Sequence, residues 1–140
     1  MYSLAEIFER LSLSMQLHET DVTAHSVFAN LSVTQIHYLD AIRHLAQPTV
    51  SELAEHMKVT KPTATVALEK LDRKGYIKKV SSSEDRRVTY VHLATKGLKI
   101  SELHDQIHQG YAEYFKNALN ARELDHLILL LNKVVLRLGL

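Results

Sequence analysis

Apolar residues recur along this chain with a period near 3.6 over most of its length and with a period of two over one short stretch. Between residues 49 and 75 the helical pattern occurs twice. Val50, Leu53, Ala54 and Met57 make one stripe, and Ala64, Ala67, Leu68 and Leu71 make the next. The first run opens on Thr49 and Glu52, a capping box in which side chains satisfy the free amides of the first turn. Lys58, Val59 and Thr60 form the turn, and Thr60 can cap the second run, with Pro62 tolerated in a first turn whose amides lack helical partners. That second helix should run to about Lys74 and stop at Gly75, a residue suited to the left-handed terminator. Residues 76–80 and 88–93 are rich in β-formers, and 81–85 carry turn chemistry between them. Two short helices and a hairpin in that order predict a winged helix-turn-helix.

The flanks predict further amphipathic helices. Ser3 with Glu6 makes a second capping box before Leu4, Ile7, Phe8, Leu11 and Met15. From about His18 to Leu31 the pattern weakens into a connection. Ser32 and Gln35 then open a helix carrying Ile36, Leu39, Ile42 and Leu45, which ends before Pro48. After the hairpin, Thr95 is expected to cap a long helix with Ile100, Leu103, Ile107, Tyr111, Tyr114 and Phe115 on one side. Asn120 and Glu123 start a last helix whose Leu124, Leu127, Ile128, Leu131, Val134, Val135 and Leu138 cover more than one stripe. A chain this short cannot bury every such stripe alone, so the first and last helices are expected to form a dimer interface. The reading is one mainly α domain over 1–140 with a small β-hairpin wing. Within it, 1–31 and 95–140 are dimerisation helices and 32–94 is the winged helix-turn-helix lobe.

The second helix of the pair has an outward face that does not suit a purely solvated surface. Pro62, Thr63, Val66 and Lys70 fall opposite the core stripe, with Lys61 at the helix start. In a DNA major groove, Lys61 and Thr63 would reach base edges, and Val66 or Pro62 would meet thymine methyls. Lys70 and Lys78 would hold phosphates. Arg86 and Arg87 should project from a mobile hairpin tip into a minor groove, with Asp85 holding one guanidinium in a bidentate pair. The helix pair alone fits an ordinary small helical domain equally well, and it is the basic hairpin that favours DNA.

Net charge over the 140 residues is only +1, but its distribution is uneven. From residue 58 to 99, eleven Lys and Arg stand against four acids, leaving +7, and the rest of the chain carries −6. Such segregation suggests a polyanion-binding face on an acidic body. With no cysteine, disulfides, thiolate metal sites and thiol redox chemistry are excluded. No apolar run approaches the ~20 residues of a membrane span and no signal peptide opens the chain, so a cytoplasmic protein is expected. No HExxH, Gly-rich phosphate loop or recognisable Ser/His/Asp set is present, and four glycines leave little for a catalytic loop, which argues against an enzyme. A winged helix used only for docking another protein is the remaining alternative, and such a wing would not need the basic segment.

The segments VSELAEHMKVTKPTATVALEKLDRKGYI and SSSEDRRVTYVHLATKG, together with the helix order, resemble the multiple-antibiotic-resistance regulator (MarR) family. The resemblance covers essentially the whole chain, and the Asp85-Arg86-Arg87 wing followed by Leu93, Thr95 and Gly97 is its most specific part. It implies a homodimeric repressor on a palindromic double-stranded operator, with an effector pocket between the dimerisation helices and the DNA-binding lobe. The wing and its flanks are most similar to the repressors of fatty-acid synthesis genes. There is also a partial match to the zinc-responsive members. His104 and His108 lie one turn apart, and with His37 and Glu19 they match the positions of a zinc site in those members, where a metal-sensing repressor would hold Zn²⁺. The second site of those members is largely absent, since His25, Ile36 and Leu103 stand at its places. The fatty-acid repressors carry similar residues without an evident metal role, so the alternative is a hydrogen-bonded core cluster. No cofactor is certain from the sequence. A metal, an acyl chain or a small aromatic acid would each suit a pocket walled by Phe8, Tyr38 and Tyr111.

Overall fold

The computed structural model describes residues 1–24 and 30–139, with side chains placed for 1–17 and 30–139. Its elements are α1 (Leu4–Ala24), α2 (Val33–His44), α3 (Val50–His56), α4 (Lys61–Arg73), β1 (Ile77–Ser81), β2 (Thr89–Leu93), α5 (Thr95–Ala118) and α6 (Ala121–Leu138). Five of the six caps read from the sequence are present, Thr60 on the Thr63 amide among them. Ser3 and Glu6 pair reciprocally, as do Ser32 with Gln35, Thr49 with Glu52 and Asn120 with Glu123. The sixth is not: α5 starts at Thr95 itself, its N-cap is Ala94, and no side chain caps it. The helix is anchored there by packing instead. The first helix also runs further than the fading pattern suggested, to Ala24 rather than about His18. The rest of that connection, including His25, lies outside the described residues.

The core forms where α2, α3, α4, the hairpin and the start of α5 meet. Leu39, Leu53, Ala64, Leu68, Leu71, Val91 and Ile100 are all fully buried there. On α4, three of the four residues of the inner stripe are buried and Ala67 is half-buried, while Pro62, Thr63, Val66 and Lys70 are exposed. Each large aliphatic side chain so buried contributes roughly 1.5–3 kcal/mol, so the helix cannot roll to present another face.

α4 ends as expected. Gly75 takes the left-handed conformation at φ +77°, and the amide of Tyr76 donates to the carbonyl of Leu71 at 3.0 Å, closing the helix end. The chain then enters an antiparallel hairpin in which Ile77 pairs with Leu93, Lys79 with Val91 and Ser81 with Thr89. A third edge comes from the α2–α3 connection, where the Pro48 carbonyl accepts from the Val91 amide at 2.8 Å and Thr49 bridges Tyr90. The wing is therefore tied directly to the entrance of α3.

Gly97 explains part of the motif after the wing. A Cβ there would lie 2.1 Å from the Tyr76 carbonyl oxygen, the same oxygen that accepts the Ala94 amide at 3.0 Å. Only glycine lets α5 dock this closely on the start of the hairpin. α5 then leaves the lobe and meets α1, where the Tyr111 hydroxyl donates to the Met15 carbonyl at 2.6 Å. α6 buries none of its side chains. Among the described residues no helix is long and apolar enough to cross a membrane.

Gly97→Ala must push α5 off the hairpin. It should cost about 1–3 kcal/mol of unfolding free energy, the usual range for overpacking, read by urea denaturation. A neutral result would show that α5 is not held by this contact.

Candidate nucleic-acid interface

The exposed face of α4 is assembled by its cap and its buried stripe. Thr60 accepts from the Thr63 amide at 3.3 Å, and its hydroxyl lies 2.9 Å from that of Thr63, which fixes the first turn. Thr65 donates its hydroxyl to the Lys61 carbonyl at 2.8 Å. Lys61, Pro62, Thr63, Val66 and Lys70 then stand in solvent together, with Val66 51% exposed. An aliphatic side chain left this open among lysines and threonines is what a base-reading surface needs and what solvation alone does not require.

The wing tip is closed by its own hydrogen bonds. Ser82 accepts from the amides of Glu84 and Asp85, its own amide donates to the Val88 carbonyl at 2.9 Å, and the Val88 amide donates to the Asp85 carbonyl at 3.0 Å. The sequence reading placed Asp85 against an arginine guanidinium. Instead its carboxylate accepts the backbone amide of Arg87 at 2.9 Å, a local turn that competes successfully for a short acidic side chain. Among the described residues no ion pair engages Arg86 or Arg87, and both side chains are exposed.

Between α4 and the wing runs a groove of about 580 Å³, walled by Ser51 of α3, Lys61 and Thr65 of α4, and Lys79, Arg87 and Thr89 of the wing. The structure brings Lys61 and Arg87 together here. Lys78 is not part of this wall: it pairs with His92, while half-buried Lys79 pairs with the fully buried Val91 on the side toward α3 and α4. The parity of β1 carried that information, because Ile77 faces the core and Lys79 follows it by two.

The histidine cluster is a joint between α2 and α5. His104 is buried and its Nδ1 lies 2.6 Å from Asp40, whose other oxygen accepts the Ser101 hydroxyl at 2.7 Å. Arg43 extends the chain by donating to Ser101 and pairing with Asp105. His37 and His108 border His104, with ring centroids 5.9 and 4.6 Å away. Glu19 belongs to α1, but its side chain lies outside the described residues. Among the described residues no group of three or more His, Asp or Glu is arranged to hold a metal ion. The sequence reading missed Asp40, Arg43, Ser101 and Asp105. Their signal was two facing sets, at i, i+3 on α2 and i, i+4 on α5.

The effector pocket inferred from the resemblance also needs amending. Tyr38 is 2% exposed and belongs to the core. A separate apolar groove of about 300 Å³ lies between α1 and α5, lined by Leu11, Met15, Tyr111, Tyr114 and Phe115, with Phe8 outside it.

A family model described as MarR family matches residues 31–89. Among curated proteins, the HTH-type transcriptional regulator YhjH of Bacillus subtilis is 30% identical over 103 residues, 74% of this chain and 58% of that protein. YybA of the same organism, also named an HTH-type transcriptional regulator, is 25% identical over 124 residues, 87% of this chain and 83% of its own. Among solved structures, FabT of Streptococcus pneumoniae in complex with DNA superposes with a TM-score of 0.85 at 28% identity, covering 96% of this chain and 94% of that one. The chain belongs to the MarR family. It spans little more than half the length of YhjH. The MarR match begins just before α2 and ends at the start of β2, and it contains every residue that the sequence reading expects at DNA. The α2–α5 joint connects this MarR lobe to helices outside the match.

Burial pushes the Asp40 carboxyl up, but hydrogen bonds from His104 and Ser101 and the charges of His104 and His37 outweigh it, so it lies below its ordinary value. Its stabilising contribution is therefore complete above the ordinary carboxylate range and is lost as pH falls through the lowered value. Asp40→Asn should cost about 1–3 kcal/mol near neutrality, with the gap to the parent narrowing in acid. A gap constant from pH 7 down to about 3, below the ordinary Asp value, would contradict this assignment.

Proposed function

We propose that this MarR-family protein is a sequence-specific DNA-binding transcriptional regulator, a repressor that acts as a homodimer on a palindromic operator. The observation that carries the reading is the outward face of α4, where Lys61, Pro62, Thr63, Val66 and Lys70 are exposed together beside a wing whose Arg86 and Arg87 are exposed and in no ion pair among the described residues. α4 lies in the major groove, with Lys61 and Thr63 at base edges, and the wing tip lies over the adjacent minor groove. FabT, solved in complex with DNA and alike over 96% of this chain, supports DNA as the ligand.

Dimerisation is argued from α6 and α1. Leu129, Leu131, Val134 and Leu138 of α6 and Leu4, Phe8 and Leu17 of α1 are all solvent-exposed in the single chain. Apolar surface of this extent is covered by association, and a twofold copy offers the same patch in return. Two α4 helices would then meet half-sites roughly 34 Å apart. An effector in the apolar α1–α5 groove would act by favouring one separation of the two lobes over another.

The test is a selection of bound duplexes from random DNA, followed by binding across a salt series. The parent should enrich an inverted repeat and lose affinity steeply as salt rises. Thr63→Ala or Lys61→Ala should relax preference at defined positions by about 1–3 kcal/mol each, and Arg86→Ala should weaken binding and reduce the preference for A/T-rich flanks. Variants that select the same sequences as the parent would remove α4 from the reading role.

Leu131→Glu, at an exposed position, should leave helical content intact by circular dichroism. It should also convert a dimer to a monomer in sedimentation and lower operator affinity. A dimer of unchanged stability would place the interface elsewhere.

A further inference from the structure

We infer that the groove between α4 and the wing is a seat for a single sugar–phosphate strand of the operator, with Lys79 as its counter-charge and Ser51 and Thr89 as its hydroxyl donors. The inference rests on the DNA-binding reading and adds residues that reading does not use. B-form grooves are separated by backbone: a helix in the major groove and a wing tip in the neighbouring minor groove have one phosphodiester strand between them. On this protein the surface between those two elements is the groove of about 580 Å³.

Its chemistry fits that strand better than a small apolar ligand. Lys61 lines it from α4, Lys79 and Arg87 line it from the wing, and no acidic residue does. Lys79 is half-buried against the core side of the hairpin, opposite Val91, so its stem is held by packing and its ammonium is confined to the groove. The Thr65 hydroxyl is already donated to the Lys61 carbonyl, whereas those of Ser51 and Thr89 make no hydrogen bond among the described residues. Phosphate contacts of this kind set register and carry no sequence information. Lys79 would therefore lock the reading helix and the wing to one strand, and would contribute to affinity on any duplex.

The experiment uses the full chain and an operator duplex obtained from the selection above. Lys79→Gln should weaken binding to operator and to unrelated duplex by the same factor, roughly tenfold near 0.1 M salt, and lower the salt slope by about one. Lys79→Arg should restore most of the loss, which separates charge from folding. Lys116→Gln removes the same charge near the far end of α5, about 32 Å along the helix, and should leave the slope unchanged. Single methylphosphonates scanned along the operator should find one phosphate per half-site whose neutralisation weakens the parent but has no further effect on Lys79→Gln.

If no phosphate shows that loss of additivity, or if Lys116→Gln flattens the slope as much as Lys79→Gln, the strand seat is overturned while α4 keeps its role. A parent that binds no duplex at all would overturn the DNA reading itself and this inference with it.

Discussion

The packing of one narrow stripe on α4 decides most of what this protein presents to the outside. Ala64, Leu68 and Leu71 are completely buried against α2, α3 and the hairpin, and a helix of this length cannot bury one face without fixing the other. Rotation by a single residue would move Val66 toward the core and bring a leucine into water, at a cost of a few kcal/mol. The outward set of Lys61, Thr63, Val66 and Lys70 is thus held by apolar contacts made on the opposite side of the same helix. Chemistry on the surface is positioned by the core, and no bond among the surface residues has to do it.

The wing and the stem are then referenced to this helix by polar contacts that would be expensive to leave half-made. β2 is paired on one side with β1 and on the other with the Pro48–Thr49 connection, so the wing cannot move independently of α3. α5 is set by the absence of a side chain at Gly97 at one end and by Asp40, Ser101, Arg43 and Asp105 one to two turns later. A half-buried carboxylate with two short hydrogen bonds strongly favours one crossing of α2 and α5, because a shifted crossing strands its charge. Any rearrangement that separates the lobe from the stem has to break this joint or carry it along intact.

Local chemistry was legible in the sequence wherever a residue acts on its own backbone. The Thr49–Glu52 and Asn120–Glu123 boxes, the Thr60 cap and the Gly75 stop are all interactions within one turn, and they stand where the pattern put them. Misreadings arose where a distant partner decides. Thr95 resembles a cap, yet α5 begins by docking Gly97 on Tyr76, so no cap is required. Asp85 has a guanidinium within two residues and bonds an amide instead. Lys78 and Lys79 are indistinguishable by composition, and it is strand parity from buried Ile77, matched by their cross-strand partners His92 and Val91, that shows which one faces α4. Tyr38 looked like a pocket wall because its helix passes near the stem, but its ring is spent on the core.

Charge completes what shape begins, on a longer length scale. Residues 58–99, which carry α4 and the wing, have a surplus of +7, while the remainder of the chain carries −6. At physiological ionic strength such fields act over about 8 Å, enough to orient a molecule in its final approach and too short to hold it at a distance. A polyanion is therefore drawn to the face where α4 is exposed, while the exposed apolar sides of α1 and α6 remain available to a second copy. Because the two surfaces lie on different helices, association through the stem and docking through the lobe need not compete. A dimeric reader requires that separation, and here it follows from where the lysines, arginines and leucines fall along the chain.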